Sequence, residues 1–551
     1  MVRTKLIRVL VKDIRLPITE QSVAATDFAQ KKLSALLGKE NVGKLSIYRK
    51  SVDARRRDRI TAVYSVKAEI DALPSESLTE RLGRAGLQIV ADDTPIIEKG
   101  SAELGGRPLV VGFGPAGMFS ALILAENGYR PIVIERGDDT DKRAEKVLHF
   151  YRTGQLDTES NIQFGAGGAG TFSDGKLVTR INDPKCRYVL KKLVDMGAPE
   201  SVLTEAKPHV GTDLLMDVVS NIKNEIERLG GQVLFRTALK NVITDGSGKI
   251  IAVGTNAGEI KCGAVILATG HSARDVYGYL KDQGFEISEK PLSVGLRIEH
   301  KRRVVEEALF GREMLRKAEK SEELRRLLGH GEYAYSLRAG ERAVYTFCMC
   351  PGGEVVAGAS EEGGVVCNGM SRHARDGENS NSAVCVSVTP QDCRAFGGTM
   401  EFCRALERRA YEMGGGGYAA PVQTVGDFLE GKGKLSPIGD VFPTYMGGNS
   451  NVKVARLDTL YPDFVTDMLR KGIRRFAGNM KGFDAPNAIL TGAETRTSAP
   501  YRIERLDSGI SARCENLYPC GEGAGYAGGI TSAAVDGISQ AMKLMSVYDT
   551  P

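Results

Sequence analysis

Nowhere does the sequence offer the roughly 18–20 uninterrupted apolar residues that carry a helix across a bilayer, which excludes an α-helical membrane span. Cysteine is sparse: 10 in 551 residues, with no Cys-x-x-Cys among them, too few for a disulfide scaffold. The expectation is a reduced, cytoplasmic protein. His, Cys and Asp never cluster at metal-ligand spacing, so no metal site is expected. Internal repeats and coiled-coil heptads are missing too. The net charge is only +5. Hydrophobic residues at 42% and charged residues at 26% are ordinary globular usage, which excludes disordered and fibrous chains.

Glycine is what the chain has in plenty: 65 residues, gathered in clusters, as where backbone must approach a ligand or turn sharply. Charge is unevenly placed. Residues 1–100 hold 19 Lys/Arg against 13 Asp/Glu, a net of +6, while the other 451 residues sum to −1. The opening Met1–Lys12 is apolar but broken by Arg8 and Lys12, and no small-residue cleavage site follows. It reads as a β-strand over 3–12 rather than a leader. Periodicity predicts a helix over 24–37 and strands over 42–49 and 60–70, joined by the charged segment 53–59. At about 150 residues per domain, the length predicts three or four units. The expected fold class is α/β. A basic, ferredoxin-like α+β domain would occupy 1–100, and a Rossmann-like dinucleotide-binding domain 101–290, completed by 491–551. An α+β substrate domain, 291–490, would be inserted between those two parts.

Arg107–Gly117 runs an apolar strand into Gly112-x-Gly114-x-x-Gly117. A helix over 116–127 and a strand over 131–134 follow, leading to Glu135, 18 residues past Gly117. A glycine triplet alone is weak evidence, but a strand before it, a helix after it and an acidic residue at that distance make the dinucleotide fingerprint. Gly112 allows the tight turn, Gly114 the close approach of backbone to a pyrophosphate, and Gly117 close packing of helix on sheet. Pro115 and Ala116 lie in the first helical turn, whose N–H groups and dipole favour phosphate. Glu135 can accept both ribose hydroxyls.

Three features favour FAD over NAD. The strand Ala264–Leu267 runs into Ala268-Thr269-Gly270, which resembles the second dinucleotide-contacting turn of glutathione-reductase-type flavoproteins with two dinucleotide-binding domains. Glu135-Arg136-Gly137 resembles the end of their FAD-ribose strand. Leu517–Gly525, with Gly521-Glu522 at its centre, resembles their C-terminal flavin motif, in which the carboxylate holds the ribityl chain. The next helix, opening at Gly528-Gly529-Ile530, would turn its positive end to the flavin. The segment Phe164–Leu177 resembles the signature of a bacterial family of uncharacterised FAD-dependent dehydrogenases. Met349–Gly353, Asn368–Ser371, Arg375–Ser382 and Glu494–Ser498 resemble its other blocks, and the match runs from about residue 1 to the C-terminus. The resemblance implies an FAD-binding oxidoreductase. It would place Gly167, Gly168, Thr171, Ser173 and Asp174 along the flavin and pyrophosphate, and the backbone of Leu239 at the adenine. Five glycines in the eleven residues 165–175 agree, since they free the backbone to approach a flat ring.

Lys176 and Arg496 are the candidate catalytic residues, with Glu494 beside them. A basic group stabilises reduced anionic flavin, and a fixed arginine can hold a carboxylate substrate. Cys348, Cys350 and Cys520 are expected to be buried, unreactive thiols, because the Cys-x-x-x-x-Cys of disulfide reductases is absent. His271 is expected to be a loop histidine without catalytic role. No second glycine fingerprint is present, and Gly414–Gly417 reads as a helix stop, so NAD(P)H is expected only as a transient donor.

The leading functional reading is an FAD-dependent dehydrogenase or reductase acting on a small organic substrate. The alternative is a flavin-bearing RNA-binding or RNA-modifying protein using the basic N-terminal module. Asp53 and Asp58 interleave with Arg55–Arg57, and Tyr48 and Tyr64 are the only nearby aromatics, so nucleic acid is not the expected partner. Substrate and oligomeric state are left open.

Overall fold

The computed structural model describes residues 5–19, 22–72, 75–90, 93–431, 433 and 435–551. The chain forms two compact units. One gathers 1–95, 199–208 and 306–331; the other holds 96–198, 209–305 and 332–551.

The first unit runs β1 (Lys5–Pro17), α1 (Ser22–Leu37), β2 (Val42–Asp53), β3 (Thr61–Ala72), α2 (Glu76–Arg84) and β4 (Leu87–Ile89). Residues 3 and 4 of the expected first strand lie outside the described residues. The strands pair antiparallel in the order β2-β3-β1-β4, the split βαβ arrangement of a ferredoxin-like unit. Alternate residues of β3, from Ala62 through Tyr64, Val66 and Ala68 to Ile70, are buried, as a half-covered strand requires. Ala25, Ala29 and Leu33 of α1 meet them at helical spacing. The same core takes in Phe310, Leu315, Ala318, Leu324 and Leu328, so a segment far along the chain completes it. At the β2 edge, Lys50 donates its N–H to Thr204 O (2.6 Å) and accepts from Ala206 N (2.8 Å), which pairs part of an otherwise open strand.

The second unit is built on a parallel sheet of β5 (Pro108–Val111), β6 (Ile132–Ile134), β7 (Gln232–Leu234), β8 (Ala264–Leu267) and β9 (Leu517–Pro519). Its order is β9-β8-β5-β6-β7, so the winding reverses between β5 and β8. This is the doubly wound order, with the ligand crevice expected outside the strand ends at the reversal. β5 and β8 are buried along their whole length, which explains their unbroken Leu/Val/Ile/Ala runs. The helices that matter for the site are α3 (Pro115–Glu126), α4 (Thr140–Thr153), α5 (Arg274–Asp282) and α6 (Ile530–Val547). A seven-stranded sheet lies in the same unit, and its central strand Leu292–Lys301 is buried except at its last residue.

Candidate functional site

Three turns that lie far apart in sequence meet at the carboxyl ends of β5, β8 and β9. Gly112 adopts φ 100°, and its N–H donates to Ile134 O (2.7 Å). A Cβ at Gly112 would fall on the carbonyl oxygen of Ala268, and one at Gly523 would lie 2.7 Å from Gly270 N. Ala268 N donates to Val111 O (2.8 Å). Glycine at 112 and 523 thus lets the Ala268–Gly270 turn nest between the first and last turns.

Helices α3 and α6 begin beside one another here. A Cβ on Gly170 would lie 3.1 Å from Ile530 Cγ1 and 3.8 Å from Pro115 Cγ, the first residues of the two helices. Their N-caps are Gly114 and Gly529, and neither supplies a side-chain cap. Two sets of helix-end N–H groups, with the positive ends of two dipoles, therefore converge. Gly521 belongs to the same cluster, its N–H donating to Asp536 Oδ2 (2.7 Å).

Glu135, buried at the end of β6, accepts from Phe113 N (2.8 Å) through one oxygen and from Gly137 N (3.0 Å) and Gly165 N (2.9 Å) through the other. It therefore binds the glycine loop to the segment 165–175. With three N–H donors in place, a carboxylate's four acceptor positions leave room for about one ribose hydroxyl rather than two. Gly167 donates to Phe113 O (2.8 Å), and a Cβ on Gly168 would sit 3.0 Å from Gly114 Cα, so this segment lies directly on the loop. Arg143 was not singled out from the sequence. Its fully buried guanidinium donates to the carbonyls of Asn161, Ile162 and Ala166 at 2.6–2.8 Å. A lone arginine on an amphipathic helix carries no sequence signal for that role.

The remaining expected residues divide. Thr171 is buried and donates to Ala166 O (3.1 Å), while Ser173 donates to Gly170 O (2.6 Å). Arg136 is held by Glu159 and Asp275 and lies 4.3 Å over the Phe164 ring. Asp174 accepts from Ser371 Oγ and from two nitrogens of Arg375, which ties the glycine-rich segment to the block 368–382. Lys176 donates to Met349 O and lies 3.9 Å from Asp174. Leu239 opens its strand as a buried residue paired with Thr255.

Arg496 and Glu494 face protein groups. Arg496 is buried and bonded to Ser360 and Glu407, and Glu407 also binds Arg274 (2.7 Å) and Thr495 (2.7 Å). Glu494 pairs with Arg297, whose five N–H groups also reach Cys348 O, Asn368 and Asn381. The expectation of buried cysteines holds at Cys350 and Cys520 but not at Cys348, which is exposed on a bulge at φ 45°. His271 bonds Ser272 through Nδ1 (2.9 Å). Burial and the charges of Arg496 and Arg274 push its imidazole down to about 3, so it stays neutral.

The residues fit a dinucleotide with a flavin. No hydrogen bond reaches the Glu522 carboxylate among the described residues, and burial pushes it up to about 7 against the opposing pull of Lys290. Such a group awaits a donor. A Cβ on Gly270, Gly528 or Gly529 would meet nothing within 4 Å, so these turns face open space. A separate cavity of about 440 Å³ is lined by Arg409, Arg456, Asp458, Asp463 and Arg470 among others. It contains none of the residues that the sequence singled out.

Residues 291–497 match the family described as FAD-dependent protein, C-terminal domain-like. An uncharacterised protein of Clostridium beijerinckii is 44% identical over 518 residues, spanning 94% of this chain and 95% of its own length. Among solved structures, CtdE in complex with FAD is 11% identical, with a TM-score of 0.31 over 80% of this chain and 86% of its own. A geranylgeranyl bacteriochlorophyll reductase-like protein from Thermoplasma acidophilum is 12% identical, with a TM-score of 0.34 over 80% and 78%. Likenesses at that level decide neither fold nor function. The matched region assigns residues 291–497 to the FAD-dependent protein C-terminal domain family, and the near-full-length relative places the whole chain in one family with the uncharacterised Clostridium beijerinckii protein.

Proposed function

We propose that the chain is an FAD-dependent oxidoreductase, a dehydrogenase or reductase acting on a small organic substrate held by the region 291–490. The observation that carries this reading is the meeting of two glycine-capped helix ends, α3 and α6, at the point where the parallel sheet reverses its winding. Bound FAD supplies the ability to accept a hydride or a pair of electrons.

The chain's own residues supply position and charge. Gly112–Gly117 with Gly167 and Gly168 would receive the diphosphate, Glu135 one ribose hydroxyl, and Glu522 the ribityl hydroxyls. The α6 N-terminus and Lys176 would stabilise negative charge on the reduced ring. Arg496, engaged with Glu407, keeps its alignment without being free to bind a substrate carboxylate. NAD(P)H enters this reading only as a transient donor.

The purified protein should be yellow or take up added FAD. Anaerobic mixing with NADH, NADPH and a panel of metabolites should bleach the flavin with at least one of them. A colourless protein that binds no FAD would end the proposal.

A further inference from the structure

Arg143 is a buried cation without a bonded carboxylate among the described residues. It sits on α4, fully enclosed, with its guanidinium 4.8 Å over the Phe172 ring. Its Nε donates to Asn161 O (2.8 Å), and its two terminal nitrogens donate to Ile162 O (2.8 Å) and Ala166 O (2.6 Å). Burying a charge among neutral carbonyls is costly, so an unexploited charge at this place needs a reason.

The surroundings supply one. The carbonyls that Arg143 collects belong to the segment whose next residues lie on the glycine loop: a Cβ on Gly168 would come within 3.0 Å of Gly114 Cα. Glu135 holds the N–H of Gly165 from another side (2.9 Å), and a Cβ on Gly165 would fall on Arg143 Cδ. Three oxygen dipoles are thereby turned toward Arg143, where they cannot oppose an anion at Gly114.

We infer that Arg143 is the positioning residue of the diphosphate site: it turns the carbonyls of 161–166 inward and places a permanent cation behind the glycine loop, so that a dinucleotide diphosphate is received by a preformed positive surface. The inference rests on the FAD reading above and assigns the electrostatic part of that site to a residue outside the glycine motifs.

The test uses full-length apoprotein of wild type, Arg143→Met and Arg143→Lys, with folding checked by circular dichroism. FAD affinity is read by flavin fluorescence, and ADP and AMP affinities by competition. Arg143→Met should lose about 100-fold in FAD affinity, the scale of lost hydrogen bonds to a charged group together with its charge. Arg143→Lys, which keeps the charge, should recover about tenfold of that loss. The preference for ADP over AMP should shrink in Arg143→Met and return in Arg143→Lys. A purely structural role would weaken ADP and AMP equally, and that result would overturn the inference. So would unchanged FAD affinity in either variant. If Arg143→Met does not fold, Arg143→Gln, which keeps donor N–H groups but no charge, takes its place: a reduced preference for ADP over AMP supports the inference, and equal weakening of ADP and AMP overturns it. Failure of the wild-type protein to bind FAD would instead bring down the reading of the function.

Discussion

Gly114 and Gly117 stand three residues apart in one loop, yet substitution should act on them differently. A Cβ on Gly114 meets only Gly168 Cα at 3.7 Å, an ordinary contact, and its φ of −82° suits any residue. A Cβ on Gly117 would fall on the carbonyl oxygen of Gly112, which is backbone and cannot move aside. Gly114→Ala is therefore expected to give folded protein that elutes colourless. Gly117→Ala should cost about 1–3 kcal/mol of stability or more and lower the melting temperature as well. Absorbance at the flavin band and thermal melting of both variants separate the two effects. A Gly114→Ala protein carrying a full complement of FAD would remove the diphosphate from this loop.

Glu299 gives a prediction about pH. It is buried in the seven-stranded sheet, accepting from Thr444 Oγ1 (2.7 Å) and Asn379 Nδ2 (3.1 Å), and burial pushes its carboxyl up to about 7. The folded state then binds a proton that the unfolded state has released above its ordinary carboxyl range. The stabilisation is complete at low pH, and is lost as pH rises toward and through 7, by at most about 1.4 kcal/mol per pH unit. Glu299→Gln, neutral throughout, should lack that term. The melting temperature of wild type relative to Glu299→Gln should fall between pH 5 and pH 8, and a constant difference would refute the assignment.

At the scale of elements, the site depends on α3 and α6 approaching more closely than side chains normally permit. A Cβ on Gly537, inside α6, would fall on Ala116 O of α3. Gly537→Ala should separate the two helix starts, costing about 1–3 kcal/mol from overpacking and weakening FAD binding without touching a cofactor contact. The measurement is the melting temperature together with FAD affinity; a normal value of both would show that the helices have slack. The periodic elements of this region are legible in the sequence. The expected helix 116–127 is Pro115–Glu126, and the expected strand 131–134 is Ile132–Ile134. The helices Thr140–Thr153 and Lys185–Asp195 leave no clear period in the sequence, because charged residues dilute their apolar positions. The seven-stranded sheet also escaped, since long-range pairing such as Leu292 with Val388 leaves no mark on local spacing.

At the scale of the molecule, the N-terminal unit cannot be cut out by sequence position. Its core includes Phe310, Leu315, Leu324 and Leu328. Deleting residues 1–95 should strand these side chains in water, and the remaining chain is expected to aggregate on size-exclusion chromatography. A monodisperse 96–551 fragment would show that the two parts are independent. For the same reason, nucleic-acid binding is tested on the full chain. Among the described residues, β1 and β3 together hold one aromatic residue, the buried Tyr64, and β2 adds only the half-buried Tyr48, so the sheet lacks a set of exposed rings on which successive bases could stack. No salt-dependent retention of tRNA is expected.

Local chemistry was enough to mark the parts of this protein whose function lies in the backbone itself. Gly112, Gly114 and Gly117, the Ala268–Gly270 turn and Gly521-Glu522 are recognisable because glycine at fixed spacing has few other uses. Which side chains remain free for chemistry was decided only by the tertiary structure. Arg496 and Glu494 read as substrate groups, but Glu407 and Arg297 engage them; Arg143 carries no signal in the sequence, yet its guanidinium gathers the carbonyls at the start of the glycine-rich segment. A side chain's charge and reach are properties of its sequence position, whereas its partner comes from distant chain segments that folding brings together, and only the partner determines whether a buried charge is satisfied, idle or ready for a ligand.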